Sequence, residues 1–219
     1  MNEPVQPLLS IIIPLAPEET EQQYLLNDLL NLLADSSSVS SEIIQKSEHS
    51  RASSLNGGAK QAEGQWLWFL HADSRISPAN LYALESSLNH DPHGAAVHYF
   101  DLGFKPSGPL LRVNALGANL RSRWLGCPYG DQGLCLSREL FFHLGGFAQD
   151  QAYGEDLLFV WCARRATVPL RRIPSILLTS GRKYQRQGWL KVTLLHEWYW
   201  LRLFLPELFK LLYQRWRRK

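Results

Sequence analysis

Short unbroken apolar runs alternate with helically spaced apolar stripes through most of this sequence. Leu8 to Pro14 (LLSIIIP) is the first run and reads as a strand. Pro17-Glu18-Glu19 follows, with proline and acids where a helix start favours them. Tyr24, Leu25, Leu29, Leu32 and Leu33 then carry a helical stripe to Ala34. Ser36 to Ser41 reads as a serine-rich loop and Glu42 to Gln45 as a short strand. In the stretch from Arg51 to Pro78, Asn56-Gly57-Gly58 predicts a turn, Ala59 to Ala62 a short helix, and Gly64 the end of that helix. The run Trp66-Leu67-Trp68-Phe69-Leu70 has no polar member, as expected of a strand covered on both faces in a parallel sheet.

Pro78 opens a helix that runs through Leu88. Ala95 to Phe104 has strand character. Ser107 to Trp124 reads as helix and loop, with Leu110, Leu111, Val113, Leu116 and Leu120 apolar. Gly130-Asp131-Gln132-Gly133 leads into a short strand, Leu134 to Leu136. Ser137 caps the helix SRELFFHL, which Gly145-Gly146-Phe147 ends. A further helix covers Leu157 to Arg165, and Leu170 to Ile173 and Ser175 to Leu178 are late strand pieces. Strands alternating with helices predict one α/β domain with a mostly parallel sheet. The domain is expected at residues 8–188, with 189–219 a separate helical segment.

Composition adds boundaries. With 219 residues and 45% apolar content, the chain has material for one substantial core. Its three cysteines form no CxxC pair, so no disulfide framework or zinc site follows and a reducing compartment is favoured. The opening MNEPVQPLLSIIIPL has no basic region and only a short apolar run, so a first strand is expected there rather than a signal peptide. The net charge of +3 is unevenly spread. From Arg182 to Lys219 ten Lys/Arg stand against two Asp/Glu, a net +8, while the remainder carries 13 against 18, a net −5. Trp189 to Tyr213 is rich in Leu, Trp, Phe and Tyr, but Lys191, Glu197, Arg202, Pro206, Glu207 and Lys210 interrupt it. It therefore falls short of the roughly 20 apolar residues that span a bilayer. Such a helix either lies on an anionic membrane surface or packs on the domain and covers the sheet. No nucleic-acid-binding module accompanies the charge, so nucleic acid is not an expected partner.

Four places carry candidate chemistry. Asp73, in His71-Ala72-Asp73-Ser74, follows the buried strand, where ligands bind in open α/β sheets. It can hold a divalent metal on a phosphate or simply cap the next turn. Asp131 between glycines allows close approach to a ligand, as would a plain turn. Glu155-Asp156 at a helix start can serve the helix dipole or take a proton from a hydroxyl. Thr179-Ser180-Gly181-Arg182-Lys183-Tyr184-Gln185-Arg186 suits a diphosphate or a solvated basic loop. Arg51 and Asn56 can touch a nucleotide or sugar, or sit at a surface and a turn.

The order of these segments is more specific than any one of them. RA-x-x-LN-x-GA-x-x-A-x-G, WLWFLHADS, YGDQG, GGF, ED and TSGRKYQRQGW in succession resemble a small bacterial family 2 glycosyltransferase, over Leu9 to about Trp189. The resemblance implies a GT-A fold: a Rossmann-like, mixed, mostly parallel sheet flanked by helices. It also implies transfer, with inversion, from a nucleotide-diphospho-sugar, of which UDP-sugars are the leading class, to a hydroxyl acceptor that is small or lipid-linked. Asp73 would hold Mg²⁺ or Mn²⁺, and His71 stands where many relatives have a second acid. Asp156, with Glu155 beside it, would be the general base. Pro14 and Glu18 would line the nucleotide entrance with Arg51 and Asn56. Asp131 and Gln132, with Trp189, would lie on the sugar and acceptor side. Ser180, Arg182 and Arg186 would close over the diphosphate. The implied location is cytoplasmic, peripheral to the inner membrane face. One departure stands out: only SSSVSSEIIQKSEHS separates the first helix from Arg51, without the Asp-rich turn that holds the base in relatives. A catalytically reduced binding or scaffold protein with a shortened base pocket is the alternative.

Overall fold

The computed structural model describes residues 8–15, 21–35, 40–151 and 153–217. Six strands, β1 (Leu9–Pro14), β2 (Ser41–Lys46), β3 (Trp66–Phe69), β4 (Val97–Lys105), β5 (Cys135–Ser137) and β6 (Leu170–Ser180), form one sheet in the order β2-β1-β3-β5-β4-β6. β1 runs parallel to β2 and β3, and β4 parallel to β6. The short β5 is antiparallel to both of its neighbours, β3 and β4. The sheet is therefore mixed and mostly parallel, as the alternation of elements predicts.

The unbroken WLWF run has a simple cause. Leu67 and Phe69 face a cluster with Ile12, Leu55, Phe141, Phe147 and Phe159, whereas Trp66 and Trp68 face another with Ile11, Ile13, Leu25, Leu84 and Phe100. Both faces of β3 are core, so neither set of alternating positions can be polar. Helices α1 (Gln22–Asp35) and α3 (Pro78–Asn89) cover the second face through Leu25, Leu29 and Leu84, and α2 (Arg51–Gln61), α5 (Arg138–His143) and α6 (Glu155–Arg165) cover the first.

Local readings need correction at several points. Asn56-Gly57-Gly58 is not a turn: it lies inside α2, which begins five residues earlier with Ser50 Oγ accepting from Ser53 N at 3.1 Å. Those glycines permit contact instead. A Cβ on Gly58 would stand 2.5 Å from Ile12 Cγ2, and one on Gly57 would collide with the Glu48 carboxylate. Gly64 does not end the helix, which stops at Gln61. It lets the chain pass against β1, its N–H donating to Ser10 Oγ at 2.9 Å. The two late strand pieces are one strand, β6, with a register irregularity opposite Phe100/Asp101, where Pro174 lies. Arg182–Gln187 is a short helix, α7, rather than a loop. The expected helix start at Pro17-Glu18-Glu19 and most of the serine-rich loop lie outside the described residues.

Ser107 to Trp124 resolves into α4 (Pro109–Leu125), and the C-terminal segment into α8 (Trp189–Arg217). Pro206 does not interrupt α8. It is exposed, so water can satisfy the carbonyl left unbonded one turn back. α8 packs on α6: Leu211 is buried with Cys127, Leu157 and Trp161, and Trp200, Leu203, Phe204 and Leu208 pack around them. Glu207 is buried there and paired with Arg165 and Lys210.

Candidate active site

Beyond the carboxyl ends of β1, β2 and β3 lies a cavity of about 370 Å³, lined by Pro14, Glu48, Ser50, Arg51, His71 and Asp73 among others. Crevices at this end of parallel strands are where α/β folds bind ligands. Four of the residues singled out from sequence (Pro14, Arg51, His71 and Asp73) thus come together. Asp73 Oδ1 accepts a hydrogen bond from Thr179 Oγ1 at 3.3 Å, which ties the end of β3 to the end of β6.

Arg51 joins this cavity to the acids of α6. Its guanidinium donates to Glu155 Oε1 and to His71 Nε2 and lies 4.0 Å from Asp156 Oδ2. Burial, and then the Arg51 charge, hold the His71 imidazole well below its usual 6.5. The ring is neutral at pH 7 and accepts at Nε2, which leaves its proton on Nδ1. Asp156 is fixed from two sides: Gly130 N donates to Oδ2 at 2.6 Å and Leu157 N to Oδ1 at 2.7 Å. Both acids stand in the first turn of α6, where the dipole favours negative charge. The helix starts from Gly154 at φ 77°, a left-handed conformation that side chains disfavour. A Cβ there would also strike Leu203 of α8. Gly130 sits at the centre of the cluster, where a Cβ would lie 2.8 Å from both Arg51 Nη2 and Asp156 Oδ2 and 2.9 Å from His71 Nε2.

Asp131, one residue on, lines a second cavity of about 290 Å³ with Arg121, Tyr129, Tyr184 and Trp189. Its Oδ1 is buried without a hydrogen-bond partner. Burial pushes its carboxyl up to about 6, the Asp156 and Asp73 charges adding to that rise while Arg121 and Arg51 oppose it. A folded pKa above the unfolded 3.8 means stability that is present at low pH and lost as pH rises through about 6. Asp131→Asn is therefore expected to stabilise the metal-free protein at pH 7 by about 1–3 kcal/mol. Thermal denaturation at pH 7 and near pH 4 checks this, the difference shrinking toward zero at the lower pH.

Other expected site residues are placed differently. Asn56 is buried and bonds the Phe147 backbone twice, Nδ2 to O at 2.8 Å and N to Oδ1 at 2.9 Å, so it fixes the GGF turn rather than facing a nucleotide. Gln132 is fully buried. It accepts from Ser122 Oγ and Tyr129 N and donates to Phe100 O, which braces the turn and leaves it no face toward a sugar. Glu155 is held by Arg51 and positions it. Ser180 Oγ accepts from Arg182 N, and the Arg182 side chain lies 3.5 Å from Glu21. Arg186 is exposed on α7. Trp189 opens α8, donates to Asn114 Oδ1 at 3.2 Å and lines the second cavity. Glu18 lies outside the described residues. Arg121, whose guanidinium stacks 4.0 Å over the Tyr129 ring beside Asp131, belongs to the site but no local sequence pattern marks it. Glu48 lines the first cavity, whereas Asp28 is taken by Arg75 at 2.6 and 2.9 Å.

Among the described residues no three His, Cys, Asp or Glu side chains converge to cage a metal. Mg²⁺ and Mn²⁺ are commonly held by one or two carboxylates, with substrate phosphates and waters completing the shell. Asp73 and Asp131 fit that pattern: their charges are coupled, and Asp131 brings a buried oxygen with no partner.

A mixed sheet with its cavity at this edge defines a GT-A architecture, and solved structures share it. The catalytic domain of Drosophila β1,4-galactosyltransferase 7, in complex with xylobiose, aligns with a TM-score of 0.54 at 16% identity, over 75% of this chain and 64% of that one. Residues 1–349 of S. aureus TarS in complex with UDP-GlcNAc align at 0.54 and 17%, over 78% and 58%. The mannosyltransferase PcManGT of Pyrobaculum calidifontis, in complex with GDP-Man and Mn²⁺, aligns at 0.54 and 15%, over 79% and 56%. The chain thus spans less than two thirds of the length of these structures, and the likeness is one of fold. No curated protein sequence matches it. Residues 10–149, more than half of the chain, match Glycosyl transferase family 2, and the chain belongs to that family. The match ends before Asp156 and α8.

Proposed function

We propose that this protein transfers a sugar from a nucleotide-diphospho-sugar to a hydroxyl acceptor with inversion. The observation that carries the reading is the single cluster in which Arg51 and His71 join the cavity beyond β1–β3 to Asp156, itself held by Gly130 N at 2.6 Å. The donor's diphosphate lies in the first cavity, with Arg51 and the start of α2 toward it. Asp73, with Asp131, would hold Mg²⁺ or Mn²⁺, which when bound offsets the negative charge gathering on the departing diphosphate. Each Asp156 oxygen accepts one backbone N–H and keeps a lone pair for the acceptor hydroxyl. As the acceptor oxygen bonds to the anomeric carbon from the side opposite the leaving group, its proton passes to Asp156. The bond between the anomeric carbon and the diphosphate oxygen breaks, its electron pair going to that oxygen, and nucleoside diphosphate leaves. α7, with Arg182 and Arg186, would close over the diphosphate and exclude water. The domain ends near residue 188. α8 seats it peripherally on the anionic inner face of the membrane, consistent with no described helix being long and apolar enough to cross one.

A panel of nucleotide-sugars with Mg²⁺ or Mn²⁺, read by mass spectrometry, tests the reaction. Release of nucleoside diphosphate is expected; release of pyrophosphate would mean nucleotidyl transfer instead. One observation favours a second reading as a binding protein. β2 pairs with β1 along its whole length but is the last strand on that side, and the turn after it offers Glu48 rather than an aspartate cluster for the base. Calorimetry with nucleoside diphosphates separates the two: metal-dependent binding supports the donor site, and its absence supports the scaffold.

A further inference from the structure

α4 turns Leu111, Ala118 and Ser122 into the protein. Its opposite side presents Leu110, Val113, Leu116, Leu120 and Trp124, spaced three or four residues apart and all exposed, Trp124 to 82%. α8 repeats the arrangement. While Val192, Glu207 and Leu211 are buried, Leu190, Leu194, Trp198, Leu205, Phe209 and Trp216 stand exposed along about 39 Å of helix at 1.5 Å per residue. The two helices meet at the start of α8, where Asn114 Nδ2 donates to Thr193 Oγ1 at 3.0 Å and Trp189 Nε1 donates to Asn114 Oδ1. Two apolar stripes of this length, left uncovered among the described residues, mark an interaction surface.

Charge and residue type say what covers it. α4 has no acidic residue, and Arg112 is exposed on it. Lys191 and Arg202 flank the α8 stripe, and near its end Arg165, Lys210, Tyr213, Gln214 and Arg217 line a concavity of about 580 Å³. A second copy of this chain would bring like charges together across a two-fold axis. An anionic lipid surface complements them, with the exposed tryptophans at headgroup depth. The second cavity is lined from both helices, by Val113, Gly117 and Arg121 of α4 and Thr193 of α8, with Val113 and Gly117 exposed at its edge and Tyr129 and Asp131 also in its lining.

We propose that α4 and α8 together seat the protein on anionic membrane, and that the cleft between them admits an amphiphilic acceptor whose hydroxylated head reaches Asp131 while its chain stays in the bilayer. The acceptor half of this statement rests on the glycosyl-transfer reading; the α4 surface does not.

The test uses the full chain and vesicles of phosphatidylcholine with or without about one third phosphatidylglycerol. Wild type is expected to co-sediment with the anionic vesicles. Leu116→Glu/Leu120→Glu, two exposed positions, is expected to reduce that partitioning at least tenfold while thermal stability is retained. An environment-sensitive fluorophore on Gly117→Cys, at the cavity edge, is expected to shift to the blue on anionic vesicles, whereas one on Tyr82→Cys of α3 does not. Unchanged partitioning of the α4 variant would overturn the surface. A shift at residue 82 and none at 117 would overturn the entrance. A wild-type dimer, free of vesicles, that the α4 variant splits would assign the stripes to a second copy and overturn the lipid. Calorimetric binding of UDP and GDP, with Mn²⁺, to the same samples isolates the transferase reading: its failure alongside normal vesicle binding would remove the acceptor role and leave the surface.

Discussion

Asp156→Asn is expected to lower turnover by about 10²- to 10⁴-fold, the range a positioned general base contributes. The substitution is nearly isosteric, and the asparagine oxygen can still accept from Gly130 N, as Asp156 Oδ2 does at 2.6 Å, while the amide nitrogen gives up the bond from Leu157 N at a cost of about 1–3 kcal/mol in stability. Folding and donor binding should therefore survive. What disappears is the basic lone pair that receives the acceptor's proton, together with a negative charge 4.0 Å from Arg51. Steady-state kinetics should show the loss in kcat with KM for the donor little changed, since the interaction belongs to the transition state. Glu155→Gln provides a contrast. Glu155 binds Arg51 rather than facing an acceptor, so its loss should raise the donor KM by releasing Arg51, and kcat should fall less.

Gly130→Ala is expected to cost about 100-fold in kcat/KM, because even an ångström of misplacement among reacting groups has that effect. The added methyl would lie 2.8 Å from Arg51 Nη2 and Asp156 Oδ2 and 2.9 Å from His71 Nε2. These are the ends of side chains rather than backbone, and Gly130 lacks the left-handed backbone seen at Gly133 and Gly154. The fold can accommodate the methyl by moving Arg51 outward, so the melting temperature should change by only a few degrees, or about 1 kcal/mol. A large activity loss without unfolding is the signature; equal loss of both, read by thermal denaturation beside kinetics, would place Gly130 in the scaffold instead.

The strands were the most legible part of the sequence, because the sheet buries both faces and leaves no polar residue in β3 and only Ser10, hydrogen-bonded to Gly64 N and Glu42, in β1. The position of Asp73 was legible for a related reason: a carboxylate right after such a strand falls at the sheet's ligand-binding edge. Polar residues near glycines were harder to read. Asn56 and Gln132 look like ligand contacts in their motifs, yet each spends its hydrogen bonds on backbone or buried side chains. Gly57 and Gly58 read as a turn because close packing against Glu48 and Ile12 leaves no local signal. Arg121 was hidden because its partner Tyr129 is reached only after the chain turns back from α4. The apolar stripe of α4 could be seen, but spacing alone cannot distinguish a face that meets the core from one that meets something outside the chain.

The donor site is most directly tested by following nucleoside diphosphate release from a nucleotide-sugar as Mn²⁺ or Mg²⁺ is titrated, for wild type, Asp73→Ala and Asp156→Asn. Wild type should respond to the metal and both variants should lose turnover, Asp73→Ala along with its metal dependence. Turnover at the wild-type rate in both variants would contradict the assignment of this cavity and its acids to sugar transfer.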